Sequence, residues 1–235
     1  MATSSRSLHG QIVHELGQQI VAGRYRPGEV LPREELLSKQ LQVSRTALRE
    51  SLRVLGSKGL IETRQKTGTR VRDAEHWNLL DPDVLSWHGA ALPSRAFVEQ
   101  LAEMRELIEP AAAALAAQRR SDAQLTGIRE AYDAMAAAED LEAWAAADLR
   151  FHHAVLNATA NALLRPLFSV IETALGSYLL LSARKADTDF KYSLPRHAAV
   201  YQAIADQQPE QARHAMLEMI ADSRRNLRTD APAGV

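Results

Sequence analysis

Four ionisable side chains fall where helical segments would bury their apolar faces: Arg105, Asp148, His152 and His197. In the segment 94–119 the inward stripe is Val98, Leu101, Ile108, Ala112 and Leu115, with Arg105 in its middle. In 141–158, Leu141, Trp144, Ala145 and Val155 frame Asp148 and His152. His197 leads Val200, Tyr201 and Ile204, and a last stripe runs through Ala212, Ala215, Met216, Met219, Ile220 and Ser223. Buried ionisable groups are costly unless paired or liganded. Asp148 and His152, four residues apart, reach one point from one helix. A carboxylate with imidazoles can hold a divalent first-row metal such as zinc. Any one of the four also fits a hydrogen-bonded core residue; four on converging stripes are harder to dismiss as such.

A second set of residues lies near the N-terminus. Arg45, Arg49 and Arg53 repeat every four residues, while Leu48, Leu52 and Leu55 mark a different, dry face of the same segment. Ser44 stands at the N-cap position. A helix with an arginine side, opening on Ser44-Arg45-Thr46, has the form of the second helix of a helix-turn-helix, although a charge run alone also fits a solvated face.

The elements that must position these residues are set by periodicity and punctuation. Leu8, Ile12, Val13, Leu16 and Ile20 form one stripe, so 7–22 is a helix ended by Gly23. Arg26-Pro27-Gly28 turns the chain, and Arg33–Leu41 is the first helix of the helix-turn-helix. Arg45–Lys58 is the second, closed by Gly59 as a left-handed cap. Strands at 60–64 and 69–71 flank the turn 65–68, which makes a winged helix with Arg64, Lys66 and Arg70 on the wing. Residues 76–92, with Trp77 and Trp87, read as a linker whose short helix, Pro82–Ala90, docks on the C-terminal body. That body is rich in alanine and leucine. Breaks near Ser94, Ser121, Asp140, Asn161, Ser193 and Pro209 give about six helices, no convincing strand and an antiparallel bundle. The fold class is therefore mainly α, as a winged helix-turn-helix (1–75), a linker (76–92) and an all-α body (93–230).

Charge separates the same two regions. Residues 1–72 hold 13 Lys and Arg against 6 Asp and Glu, whereas residues 73–235 hold 15 against 23. A basic head on an acidic body suits polyanion binding by the head alone. The absence of cysteine excludes disulfide and thiolate chemistry, and no apolar run approaches a membrane span, so a soluble cytoplasmic protein is expected.

The motifs Gly28-x-x-Leu31-Pro32, Leu41-x-Val43-Ser44-Arg45-Thr46-x-x-Arg49-Glu50-x-Leu52, Gly59-Leu60-Ile61 and Gly68-Thr69-x-Val71 resemble the DNA-binding domain of the GntR family. That resemblance implies operator contacts from Ser44, Arg45, Thr46 and Arg49, with wing contacts near Lys66 and Gly68. The family's usual Leu-Pro-Ser-Glu-Arg is here Leu31-Pro32-Arg33-Glu34-Glu35, so Arg33 is the candidate to replace the missing arginine. Glu103-x-Arg105-x-x-Ile108-Glu109, Asp148-x-x-Phe151-His152-x-x-Val155, Asn161 and His197 resemble the FCD effector domain of the FadR branch. The resemblance implies a divalent metal, zinc above all, on Asp148, His152 and His197, with the family's fourth ligand position falling on the thioether of Met219. It further implies an effector site made of Arg105, Asp148, His152, His197, Met219 and Ser223. Similarity to repressors of sugar-acid catabolism around 77–87 and 218–223 implies galactonate or a related aldonate as effector.

The resulting expectation is a homodimeric, non-enzymatic repressor that binds double-stranded operator DNA and is released by a small carboxylate. The alternatives are a regulator of a different organic acid, a hydrolase-like metalloenzyme using the Asp/His cluster, and a DNA-architectural protein. The last leaves the ionisable groups on core stripes unexplained.

Overall fold

The structure is a computed structural model that describes residues 8–64, 67–90, 94–182 and 190–229. Two compact units divide the chain, Met1–Ala91 and Leu92–Val235.

The first unit contains α1 (Leu8–Val21), α2 (Glu34–Gln40), α3 (Arg45–Ser57), β1 (Ile61–Arg64), β2 (Gly68–Val71) and α4 (Pro82–Ala90). Helix α3 starts where the sequence places it, because Ser44 Oγ accepts a hydrogen bond from Ala47 N at 3.1 Å. It ends at Gly59, whose φ of +80° no branched residue adopts readily; a Cβ there would also sit 2.2 Å from the His76 carbonyl oxygen. The two strands pair antiparallel with Ile61 opposite Val71 and Glu62 opposite Arg70. Val30 adds a bridge to Arg70, and Leu31 N donates to Thr69 O at 2.8 Å. Leu16 and Ile20 of α1 pack on Leu48 and Leu55 of α3, with Leu60 and Val71, in one core.

Helix α4 occupies the expected residues, Pro82–Ala90, and lies in the first unit. The sequence reads it as a linker helix docked on the body; within the first unit, Val84 and Trp87 belong to that unit's core. The reason is specific. Trp87 Nε1 donates to His14 Nδ1 at 2.8 Å, and the Trp87 ring fills the space left by Gly17, where an added Cβ would meet it at 2.4 Å. Asp81 caps α4 by accepting from Asp83 N and Val84 N at 3.0 and 3.3 Å. Its two oxygens also lie 2.7 and 2.8 Å from Lys58 Nζ at the end of α3. Burial tends to lower the Lys58 pKa, but Asp81 and Asp83 hold it above the ordinary value.

The second unit contains the six expected helices: α5 (Arg95–Arg119), α6 (Asp122–Ala137), α7 (Leu141–Ala158), α8 (Phe168–Ser182), α9 (Leu194–Ala205) and α10 (Pro209–Thr229). Ser94, Ser121 and Asp140 cap the first three through side-chain oxygens, and Ser121 with Gln124 forms a full capping box. Ile128, Met135, Phe151, Val155, Val200, Ile204, Met216 and Ile220 form the core from four helices. Arg224 clamps α10 to α5 by pairing with Glu99 and Glu106 at 2.7 and 2.9 Å. This scaffold holds Arg105 on α5, Asp148 and His152 on α7, and His197 on α9.

Candidate functional site

Asp148, His152 and His197 converge. Each offers one ligand atom, and these atoms all lie within 4.8 Å of one another. Asp148 Oδ1 is 2.8 Å from His197 Nε2 and 3.8 Å from His152 Nε2. Both imidazoles are buried, whereas the Asp148 side chain keeps 14% of its surface exposed.

The rear nitrogen of each ring has an oxygen close to it. His197 Nδ1 is 2.9 Å from the Ser193 carbonyl oxygen, which can only accept, so Nδ1 carries the proton of that bond. His152 Nδ1 is 2.5 Å from Glu109 Oε2. With Nδ1 so used, each ring presents Nε2 towards Asp148. In the neutral tautomer this sets the His197 Nε2 lone pair against a carboxylate oxygen at 2.8 Å, and a proton or a cation must lie between them. Imidazole nitrogens facing a carboxylate, each fixed from behind by a carbonyl or a carboxylate, suit a divalent first-row metal. The donor set therefore fits the expected ion.

Arg105 lies at the edge of this cluster and is 1% exposed. Its Nε donates to Glu109 Oε1, and Nη2 stands 3.4 Å from both Glu109 Oε2 and His152 Nε2. Burial alone would raise the Glu109 pKa, but the charges of Arg105 and His152, with their hydrogen bonds, bring it down to about 2. Asp148 behaves alike: burial raises it, and the His197 hydrogen bond with the His152, His197 and Arg105 charges outweighs burial and holds it at about 2. Both carboxylates are thus anionic. Edge-on aromatic rings wall the site, with Phe151 at 5.0 Å and Trp144 at 6.1 Å from the His197 ring centroid.

The other expected effector residues are placed less directly. Met219 is buried in the core shared with Phe151 and Trp144. Ser223 is half-buried and its hydroxyl donates to the Met219 carbonyl at 3.2 Å. His214 sits outside, 73% exposed and 3.3 Å from Glu218, so it does not replace the family's fourth ligand. Glu109 is the residue that sequence reasoning passed over. Its signal was present, because it stands four residues after Arg105 on the same helix, the spacing at which an arginine and a glutamate pair.

In the first unit, Ser44, Arg45, Thr46 and Arg49 are all exposed at the start of α3. The Ser44 hydroxyl is used in the cap. Arg45 and Arg49 reach back to α2, to Glu35 at 3.2 Å and Glu34 at 2.8 Å. Arg33 is exposed at the N-cap position of α2 and makes no side-chain cap. Gly68 opens β2 with φ +87°. Lys66 lies outside the described residues. Among the described residues, Arg45 and Arg49 make an exposed arginine face on α3.

Comparison with known proteins matches the same two regions. The family described as bacterial regulatory proteins, gntR family, matches residues 8–71, and the FCD domain matches residues 100–222. The galactonate operon transcriptional repressor of Escherichia coli K12 is 36% identical over 93% of this chain and 96% of its own length. The HTH-type transcriptional regulator LutR of Bacillus subtilis is 34% identical over 83% of this chain and 90% of its own. Among solved structures, Lar, which controls the Listeria monocytogenes agr system, superposes over 96% of this chain and 99% of its own with a TM-score of 0.65 at 21% identity, a likeness of fold.

Proposed function

The chain belongs to the gntR family of bacterial regulatory proteins and carries an FCD domain, and from that premise we propose that it is a repressor of sugar-acid catabolism genes, released from its operator by galactonate or a close aldonate. It is a DNA-binding transcriptional regulator, as its relatives are named, and not an enzyme. Among the described residues no helix is long and apolar enough to cross a membrane. Our reading places the protein in the cytoplasm as a homodimer whose two heads meet a pseudo-palindromic operator.

The observation that carries the effector reading is the buried cluster of Asp148, His152 and His197 with the Arg105 guanidinium at its edge. The three ligands would hold a divalent metal, zinc in the first instance. When bound, such an ion supplies Lewis-acid coordination for a carboxylate oxygen and an adjacent hydroxyl. The protein's own residues do the rest. His197 and His152 keep Nε2 forward, Asp148 supplies the negative charge, and Arg105 donates from Nη2 to an incoming carboxylate. Met219, a weak ligand at the family's fourth position, leaves room for oxygens of the effector. Phe151 and Trp144 exclude water and so strengthen each of these contacts.

The effector would engage side chains from α5, α7 and α9 at once, and the balance between DNA-competent and DNA-incompetent states shifts by its differential affinity for them, typically about 1–3 kcal/mol. Calorimetry with galactonate, followed by a gel-shift titration on the operator, tests the proposal. Binding that releases DNA is the expected result. A different organic acid doing so while aldonates do not bind at millimolar concentration would replace galactonate by that acid.

A further inference from the structure

The buried carboxylate of Glu109 does two jobs with its two oxygens. Oε2 lies 2.5 Å from His152 Nδ1, and Oε1 accepts from Arg105 Nε. Glu109 is 2% exposed, so water does not compete for either oxygen. We infer that Glu109 is the positioning residue of the site, setting through one side chain both the ring orientation of a metal ligand and the location of the anion anchor. This rests on the metal-and-carboxylate reading proposed above.

The geometry supports it at each end. Glu109 Oε2 stands 2.5 Å behind Nδ1 as an ion-pair partner, and with Nδ1 turned to it the ring has Nε2 forward, 3.8 Å from Asp148 Oδ1. Without that hold the ring can turn about its bond to Cβ and offer either nitrogen. At the other end, Arg105 and Glu109 are four residues apart on α5, so the helix delivers them as a pair. Glu109 takes the edge formed by Nε and Nη2, with Oε1 accepting from Nε and Oε2 3.4 Å from Nη2, and the same Nη2 stands 3.4 Å from His152 Nε2. Held along that edge, the guanidinium is fixed in plane and position beside His152. The residue touches neither effector nor metal in this scheme; it acts through His152 and Arg105.

The test compares wild type with Glu109→Gln, which keeps the shape of the side chain and removes its charge. Zn2+ affinity is measured by chelator competition, and the visible spectrum of the Co2+-loaded protein reports ligand geometry. Zinc affinity should fall 10- to 100-fold, as for other outer supports of metal-bound histidines, the cobalt spectrum should change, and the metal-free variant should keep the helical content of wild type. Should the variant fail to fold, wild-type protein carrying 15N-labelled histidine answers the same question. There His152 should bear its proton on Nδ1 in the zinc-loaded state. A folded Glu109→Gln with wild-type zinc affinity and cobalt spectrum would overturn the role of Glu109 alone, as would zinc found on His152 Nδ1. Wild-type protein that binds no zinc would overturn the metal reading and this role together.

Discussion

Arg45 Nη2 lies 3.2 Å from Glu35 Oε1, so the first arginine of the exposed face of α3 is paired with the carboxylate that stands where the family usually has an arginine. Both side chains are more than 60% exposed. Such a pair contributes at most about 1 kcal/mol and is weakened by salt. DNA binding must exchange the carboxylate for a base edge or a phosphate. Arg45→Ala or Arg49→Ala should cost about 1–3 kcal/mol of operator affinity if the arginine reads a guanine. Glu35→Ala should do the opposite and tighten binding to any duplex, since it frees a cation and removes a charge that repels phosphate. Fluorescence anisotropy across a salt series measures both, and an unchanged Glu35→Ala would show that the pair has no part in DNA affinity.

Purified protein, kept from chelators, should carry close to one divalent metal per chain. His152→Ala removes one of the three ligands and should lose it. Elemental analysis of both proteins decides the matter: a metal-free wild type would leave Arg105 as the anchor for a carboxylate and the two histidines as hydrogen-bond donors.

Gly17→Ala reports whether α4 belongs to the head. On an ordinary helix this change stabilises by up to about 1 kcal/mol. Here the new methyl would meet the Trp87 ring at 2.4 Å, and overpacking against a rigid ring costs about 1–3 kcal/mol. The net effect should be a lower unfolding temperature for the head. A second variant, Trp87→Ala, should cost about 3–5 kcal/mol, as for other large aromatic residues removed from a core. Thermal denaturation of the two variants would deny α4 its place in that core if neither were destabilised.

How far the sequence revealed these features depends on how local each one is. The recognition helix was legible because its start and stop are local, a cap at Ser44 and a left-handed glycine at Gly59. The cluster of Asp148, His152 and His197 was legible because helical periodicity puts costly groups on dry stripes. Glu109 was not, because the stripe was drawn through Ile108, which is only half-buried, while Glu109 is the buried neighbour. The docking of α4 was illegible for a different reason. Its apolar residues Val84 and Trp87 announce burial but not against what, and Gly17, the partner that decides, lies 70 residues earlier. The pairs Arg45–Glu35 and Arg49–Glu34 likewise exist only once the turn between α2 and α3 sets two helices side by side.

On the function proposed, Arg105 is the carboxylate anchor through which an effector releases the operator, and in testing that role the choice of variant matters. Removing its side chain altogether leaves Glu109 buried without its principal cation. Breaking a buried pair in that way costs about 3–5 kcal/mol, so loss of response in Arg105→Ala would mix lost recognition with lost stability. Arg105→Lys separates the two. An ammonium still neutralises Glu109, but it is a single point of charge with no planar fork, so it cannot hold Glu109 on one edge and a ligand carboxylate on the other. Arg105→Lys should therefore fold, bind the operator as wild type does, and respond to galactonate only at concentrations at least about tenfold higher, the loss of one charge-assisted hydrogen bond. Arg105→Ala, if it folds, should bind the operator and not respond at all. Gel-shift titrations with galactonate, run beside calorimetry on the same preparations, measure binding and release separately. Wild-type release by Arg105→Lys at wild-type galactonate concentrations would show that the guanidinium is not the carboxylate anchor, and would leave the three metal ligands as the effector's point of attachment.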